Sequence, residues 1–178
     1  MIYEEKSIRS ETVFAGRIIT VRVDTVLMPD GREATREIVD HPGGVCVVAV
    51  TDDEKAVLVK QFRKPVERAI WEIPAGKLEH GEDPLECGIR ELEEETGYRA
   101  DEFISLGHML PTPGFANETI YVYLARNLRK TSARLDPDEY LDVLEFPFNQ
   151  VLDMIKNNEI NDGKTVFGIL KAKEILNL

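Results

Sequence analysis

Eight carboxylates crowd the stretch GKLEHGEDPLECGIRELEEETGY, Gly76 to Tyr98, and three of them, Glu93, Glu94 and Glu95, are consecutive. Like charges three or four residues apart cost an exposed helix about 0.2–0.5 kcal/mol per pair. That penalty is small enough for a plain solvated acidic face, so crowding alone decides nothing. The spacing says more. On a helix turning about 100° per residue, with Glu91 set at about 0°, Glu95 falls at about +40° and Glu94 at about −60°, while Glu93 lies on the far side near about 200°. Leu85, Ile89 and Leu92 gather between about 100° and about 160° and form the expected buried stripe. Cys87 and Gly88, one turn earlier on the carboxylate side, are small enough to admit a close neighbour. Arg90 is the only cation between Gly81 and Gly97, placed to orient a carboxylate, and Glu82 stands in the loop before the helix. Hard oxygen ligands at this density suit Mg²⁺ or Mn²⁺.

The elements that must position this helix are legible around it. Asp83 is a good N-cap, Pro84 fits the first helical position, and Glu86 stands three residues after the cap. Gly97 is placed to end the helix in a left-handed cap. Upstream, GVCVVAV and AVLVKQF read as two apolar strands separated by the turn TDDEK. IWEIPAG reads as one short strand ending at Pro74 and Gly76. Downstream, FISLGHML and ETIYVYLARNL are strands joined by PTPGFAN, and LDVLEF is a further short strand after the polar loop RKTSARLDPDE. Two helices finish the chain, from about Phe148 to Asn157 and from about Lys164 to Leu176. Residues 1–41 form a separate unit in this reading. Strand-like runs flank the turn signal PDG, with too few apolar residues for a core of their own. The fold class expected is α/β (α+β), a mixed sheet between helices over 42–178 with an added N-terminal antiparallel sheet.

Composition narrows the function classes. The net charge is −11 and the pI about 4.8, which argues against general affinity for nucleic acid. An anionic small molecule then needs bridging cations or a local arginine. No apolar run has the length of a membrane span, and MIYEEKSIRS has no signal-peptide core. The expectation is a cytoplasmic protein with no membrane partner. Cys46 and Cys87 are read as small buried hydrophobes, and His41, His80 and His108 as too scattered for a metal triad.

Gly76, five residues, Glu82, seven residues and then RELEEETGY match every fixed position of the Nudix box, GX5EX7REUXEEXGU. Leu92 fills the first aliphatic slot and Tyr98 stands in the last. The chain thus resembles Nudix hydrolases, which cleave a nucleoside diphosphate linked to another group with the help of divalent metal, usually Mg²⁺. The resemblance implies Glu91, Glu94 and Glu95 as metal carboxylates, with the Ala75 carbonyl beside them and two or more ions per site. It implies Arg90 as the residue that orients them and Gly76 as the tight turn.

Outside the box, TREIVDHPGGVCVVAV, VLVKQFRKPVERAIWEIPAGKLEHGEDP and HMLPTPGFANETIYVYLA are similar to ADP-ribose pyrophosphatases. From that resemblance, Arg36, Glu37, Arg63, Thr112, Pro113, Gly114 and Glu118 are substrate-binding candidates. The same resemblance implies a homodimer in which residues 1–41 complete the partner's pocket. The general base is left open by RLDPDEYLDV. Glu139 aligns with a loop acid that can act as base or as an extra metal ligand. Where many relatives carry a second glutamate this chain has Pro137, flanked by Asp136 and Asp138. Glu139, a displaced aspartate or a box glutamate such as Glu94 remain alternatives. The expected reaction is hydrolysis of ADP-ribose to AMP and ribose 5-phosphate. NADH, dinucleoside polyphosphates and nucleotide sugars are the rival substrates. A non-catalytic nucleotide-binding module is the rival class.

Overall fold

The run GVCVVAV forms β4 (Gly44–Val50), buried along its whole length. Val45, Val47 and Ala49 enter one apolar cluster, and Cys46, Val48 and Val50 enter another. Successive strand side chains point to opposite faces, so an unbroken apolar run marks a strand covered on both sides. The computed structural model describes residues 3–135 and 139–178. The chain divides into two compact units, Gly44–Met109 with Ile120–Leu178, and Met1–Gly43 with Leu110–Thr119.

In the larger unit, β5 (Lys55–Arg63), β6 (Arg68–Glu72), β7 (Ala75–Lys77), β8 (Tyr98–Met109), β9 (Ile120–Lys130) and β10 (Leu141–Pro147) join β4 in one sheet. Its order is β10-β5-β4-β9-β8, with β6 against β5 and β7 against β4. The β4–β9 pair is parallel and the others are antiparallel. Helix α1 (Pro84–Thr96) brings Cys87 and Leu92 to the cluster of Val45 and Val47. Helices α2 (Phe148–Lys156) and α3 (Gly163–Leu176) bring Phe148, Val151, Met154, Ile169 and Ala172 to the other cluster. The result is the mixed sheet between helices that the sequence implied. No helix among the described residues is long and apolar enough to cross a membrane.

Two local expectations are corrected. IWEIPAG is two strands, not one. β6 ends at Glu72 and β7 begins at Ala75, each on a different neighbour. Pro74 has no N–H to continue a ladder, and its carbonyl instead accepts the Val47 N–H at 2.9 Å. The buried face of α1 also differs. It comprises Cys87, Gly88, Leu92, Glu95 and Thr96, whereas Leu85 and Ile89 are only partly covered. The reason is Gly88. A Cβ there would meet Val45 Cγ1 at 3.0 Å and Val47 Cγ2 at 3.3 Å, so the small residue is where β4 comes close to the helix. That approach rotates Glu95 into the packed face.

The ends of α1 follow their signals. Asp83 accepts the Leu85 N–H at 2.9 Å and the Glu86 N–H at 3.3 Å. Gly97 sits at φ 68° and donates its N–H to the Glu93 carbonyl at 2.9 Å. The segment after β9 hangs from this end, with Thr131 N–H on the Gly97 carbonyl and Arg134 N–H on the Glu94 carbonyl.

In the smaller unit, β1 (Lys6–Ala15), β2 (Thr20–Leu27) and β3 (Glu33–Asp40) form an antiparallel sheet in that order. Gly31, at φ 85°, turns the chain between β2 and β3. Val26 is the one buried apolar side chain among this unit's described residues. The PTPGFAN segment, expected from sequence in the larger domain, belongs to this unit. Val39 N–H bonds the Phe115 carbonyl at 2.8 Å, and Asn117 N–H bonds the Val39 carbonyl at 3.2 Å. The Asn117 side chain accepts from His41 N–H and donates to Asp40, both at 2.9 Å.

Gly97 combines a positive φ with a crowded site, since a Cβ would lie 2.8 Å from Ala133 N. Gly97→Ala is expected to lower unfolding stability by more than about 1 kcal/mol, read from the shift of a urea denaturation midpoint.

Candidate active site

The site is built on the face of α1 that β4 and β7 cover. Arg90 is its organiser. Its Nε and Nη2 donate to the two oxygens of Glu82 at 3.0 and 3.2 Å. Its Nη1 donates to Glu91 at 2.7 Å and to Glu94 at 3.0 Å. One guanidinium thus gathers three carboxylates from the loop and the helix, as its fork of donors allows. Glu82 also accepts the Glu79 N–H at 3.0 Å, and with Arg90 it is held down to about 2, well below the ordinary carboxylate range. Arg90 itself is pushed up, chiefly by Glu82. The sequence reading placed Glu82 in the loop without a role. Here it anchors the residue that orients the others.

Glu91 lies over Gly76. A Cβ on Gly76 would come within 1.9 Å of the Glu91 carboxyl carbon. The glycine therefore serves a close approach by a carboxylate, more than a special backbone angle. Burial pushes Glu91 up, although Arg90 opposes the shift. Glu95 is only 3% exposed and accepts the Ala75 N–H at 3.1 Å. Burial pushes it up to about 8; the Ala75 N–H opposes, while the charges of Glu91 and Glu139 add to the rise. The charge of Glu139 raises Glu91 as well, so this loop acid is felt by both helix carboxylates. Asp136, Pro137 and Asp138 lie outside the described residues.

These observations bear on a metal ion. Buried carboxylates pushed toward their neutral form by burial and by one another are the donor set a divalent cation would satisfy. The donors are hard oxygens of the type Mg²⁺ takes. Among the described residues no three His, Cys, Asp or Glu side chains are grouped so as to hold a metal ion. Glu91 and Glu94 turn to Arg90, and Glu95 turns to Ala75. The sequence reading offered the Ala75 carbonyl to the metal, and the structure joins this residue to Glu95 through its N–H.

Arg63, at the end of β5, is paired rather than loose. Its Nε and Nη2 reach the two oxygens of Glu72 at 2.6 and 2.8 Å. Glu72 is 1% exposed and also takes a bond from Lys164. Sequence reasoning missed Glu72 and Lys164, which lie 92 residues apart. The one available signal was a charged residue inside the apolar run IWEIPAG.

The remaining candidates lie in the smaller unit. Arg36 on β3 pairs with Glu5, at 2.8 Å through Nε and 2.5 Å through Nη2. Glu37 is exposed and, as the next residue on a regular strand, projects from the opposite face. Thr112, Pro113 and Gly114 form the turn fastened to Val39, where the Thr112 carbonyl accepts the Ala116 N–H at 2.9 Å. Glu118 stands 3.4 Å from Nδ1 of His41, a residue taken from sequence as incidental. Cys46 and Cys87 are buried, and burial pushes both thiols up to about 12, as inert core groups.

Comparison with known proteins now decides the family. The profile described as the NUDIX domain matches residues 40–167. This chain belongs to the Nudix family. A second profile, the nucleoside diphosphate sugar hydrolase N-terminal domain, matches residues 5–39. The Nudix chain is 47% identical over 179 residues to the methanol dehydrogenase activator of Bacillus methanolicus, covering 98% of this chain and 97% of the relative. It is 46% identical over 177 residues to the ADP-ribose pyrophosphatase of Bacillus subtilis (strain 168), covering 97% and 96%. Its fold matches the crystal structure of an ADP compounds hydrolase with a TM-score of 0.87 at 22% identity, covering 98% of this chain and 95% of that one.

The Gly76–Glu91 contact gives a direct test of the Nudix site. Gly76→Ala must displace the Glu91 carboxylate, and a misplacement of about 1 Å costs about a hundredfold in rate. A kcat loss of that order is expected, with an unchanged far-UV circular dichroism spectrum.

Proposed function

We propose that this Nudix protein hydrolyses the pyrophosphate bond of ADP-ribose, with divalent metal, to AMP and ribose 5-phosphate. The observation that carries the reading is the helix face itself. Glu91 and Glu94 are held by one arginine, Glu95 is buried on the same helix and accepts the Ala75 N–H, and Glu139 is within electrostatic range. The choice of ADP-ribose is supported by 46% identity, over nearly the full length of both chains, to an ADP-ribose pyrophosphatase. The match to a nucleoside diphosphate sugar hydrolase N-terminal domain supports the same substrate class. The complete set of box carboxylates favours an enzyme over a non-catalytic nucleotide-binding module.

Glu91, Glu94, Glu95 and the Ala75 carbonyl are the groups that would hold two or more ions, Mg²⁺ in this reading. Such ions would neutralise the bridging and leaving phosphate oxygens and acidify the attacking water. Arg90 keeps Glu91 and Glu94 in place. Arg63 presents a fixed positive charge to the diphosphate. Glu139, or a box glutamate such as Glu94, takes the proton from water. The water oxygen bonds to one phosphorus, the bridging P–O bond breaks, and its electron pair stays on the departing phosphate. Arg36, Glu37, Thr112, Pro113, Gly114 and Glu118 are the proposed contacts to the rest of the substrate. We take the working unit to be a homodimer formed through the N-terminal sheet. β1 is an edge strand exposed along its length, and it shows Ile8, Val13 and Phe14 to water. Exposed apolar edges of this kind are normally covered.

Purified protein should release AMP from ADP-ribose only with a divalent cation, and faster by kcat/KM than from NADH, dinucleoside polyphosphates or nucleotide sugars. Glu95→Gln should lose at least about a hundredfold in kcat, the size of effect of one lost preorganised charge stabiliser. Glu139→Gln should lower kcat with little change in KM. Full activity of Glu95→Gln at saturating Mg²⁺ would overturn the metal-site reading. For the dimer, light scattering should give twice the chain mass of 20.2 kDa, and Phe14→Lys should shift it toward a single chain. A monomeric wild type would exclude the dimer.

A further inference from the structure

Glu72 is a carboxylate in the core of the larger unit, 1% exposed. It stands opposite Val59 on β5, and Arg63, four residues on, projects from the same face of that strand. The Arg63 side chain folds back and meets Glu72 with two parallel bonds, 2.6 and 2.8 Å. Lys164, at the start of α3, bonds Glu72 from the other side and Asp162 at 3.0 Å. Burial works to raise Glu72, yet the two cations outweigh it and hold it below its usual range. It is an ionised acid in the interior.

The segment that carries Glu72 is pinned at each residue. Ile73 N–H bonds the Thr165 hydroxyl at 3.0 Å, and that hydroxyl bonds Asp162 at 2.6 Å. The Pro74 carbonyl takes the Val47 N–H, and Ala75 N–H reaches Glu95. Glu72 and the carboxylate Glu95 are therefore joined through one short pinned run, the four residues from Glu72 to Ala75. Arg63 itself is 41% exposed at its side chain, and its charge acts on Glu95. Its Nη1 makes no hydrogen bond among the described residues. A guanidinium has five N–H donors in a planar fork. Glu72 occupies the Nε edge and leaves the outer edge for two further bonds, the geometry that recognises a phosphate.

We propose that Glu72 is a positioning residue for the reaction, a buried anchor that fixes the Arg63 guanidinium so that its outer edge faces the substrate diphosphate beside Glu95. This rests on the reading of Arg63 as a diphosphate contact. Stability alone is a weak reason for the cluster, because apolar groups of similar size often replace a buried ion pair without loss. Orientation is a stronger one. An arginine on a strand end has many rotamers, and a charge that must reorganise at the moment of reaction stabilises a transition state poorly.

The test is a double-mutant cycle on ADP-ribose hydrolysis with wild type, Arg63→Ala, Glu72→Gln and the double variant at saturating Mg²⁺. Glu72→Gln should lower kcat/KM by about ten- to a hundredfold. The double variant should be no worse than Arg63→Ala alone, since an anchor has no effect once its arginine is gone. Met154→Ala, a core deletion in α2, controls for stability, and it should leave kcat/KM close to wild type while lowering Tm. Should Glu72→Gln fail to fold, Glu72→Met with Lys164→Leu removes the buried charges together and should show the same kinetic loss. Wild-type kinetics in Glu72→Gln, or losses that multiply in the double variant, would overturn the anchor while leaving Arg63 as a contact. Wild-type kinetics in Arg63→Ala would overturn both. No turnover of ADP-ribose by the wild type would overturn the proposed function.

Discussion

A carboxylate on the packed face of a helix must be answered by hydrogen bonds or positive charge, because burial in a low-dielectric interior penalises the ionised form. Glu95 is that carboxylate. It is buried because β4 approaches α1 at Gly88, and the approach turns the helix so that Glu95 faces β7 rather than solvent. The Ala75 N–H answers part of the demand. Glu91 and Glu139 increase it. What remains is a demand for positive charge, which a divalent cation would meet in the proposed function.

The two arginines divide the work by location. Arg90 lies on the helix and holds acids of its own neighbourhood, Glu82, Glu91 and Glu94. It limits the mutual repulsion that the acidic run would otherwise suffer. Arg63 comes from β5 and is fixed by Glu72, so its charge belongs to the sheet. The strand break at Pro74 lies between the partner of Arg63 and the partner of Glu95. It ends β6 at the arginine's anchor and starts β7 at the residue that bonds Glu95.

The smaller unit follows a different logic. Its three strands bury one apolar side chain among the described residues, so packing contributes little there. Polar side chains join its parts instead. Asn117 ties the Thr112–Glu118 turn to Asp40 and His41, and Arg22 bridges Asp24 and Asp40. Candidate substrate residues from two distant stretches of sequence are thus carried on one body, with β3 and the turn joined as neighbours through Val39.

The chemistry was legible in the sequence because it is local. Carboxylates spaced along one helix are brought to one side of it by helical geometry alone, and Asp83, Pro84 and Gly97 mark that helix's ends through their own backbone preferences. The β4 run showed its double burial through unbroken apolar composition. The family followed from fixed spacings within one short segment. Tertiary structure decided what depends on partners far along the chain. The helix's buried face departs from the Leu85–Ile89–Leu92 stripe because β4 comes close at Gly88, so that Cys87, Gly88 and Glu95 join Leu92 in it while Leu85 and Ile89 are only partly covered. IWEIPAG is two strands because each half pairs with a different neighbour. Glu72 and Lys164 are anonymous charges in sequence. They acquire a role only when β6 and α3 bring them within bonding distance, since a salt bridge between residues so far apart leaves no periodicity or spacing to read.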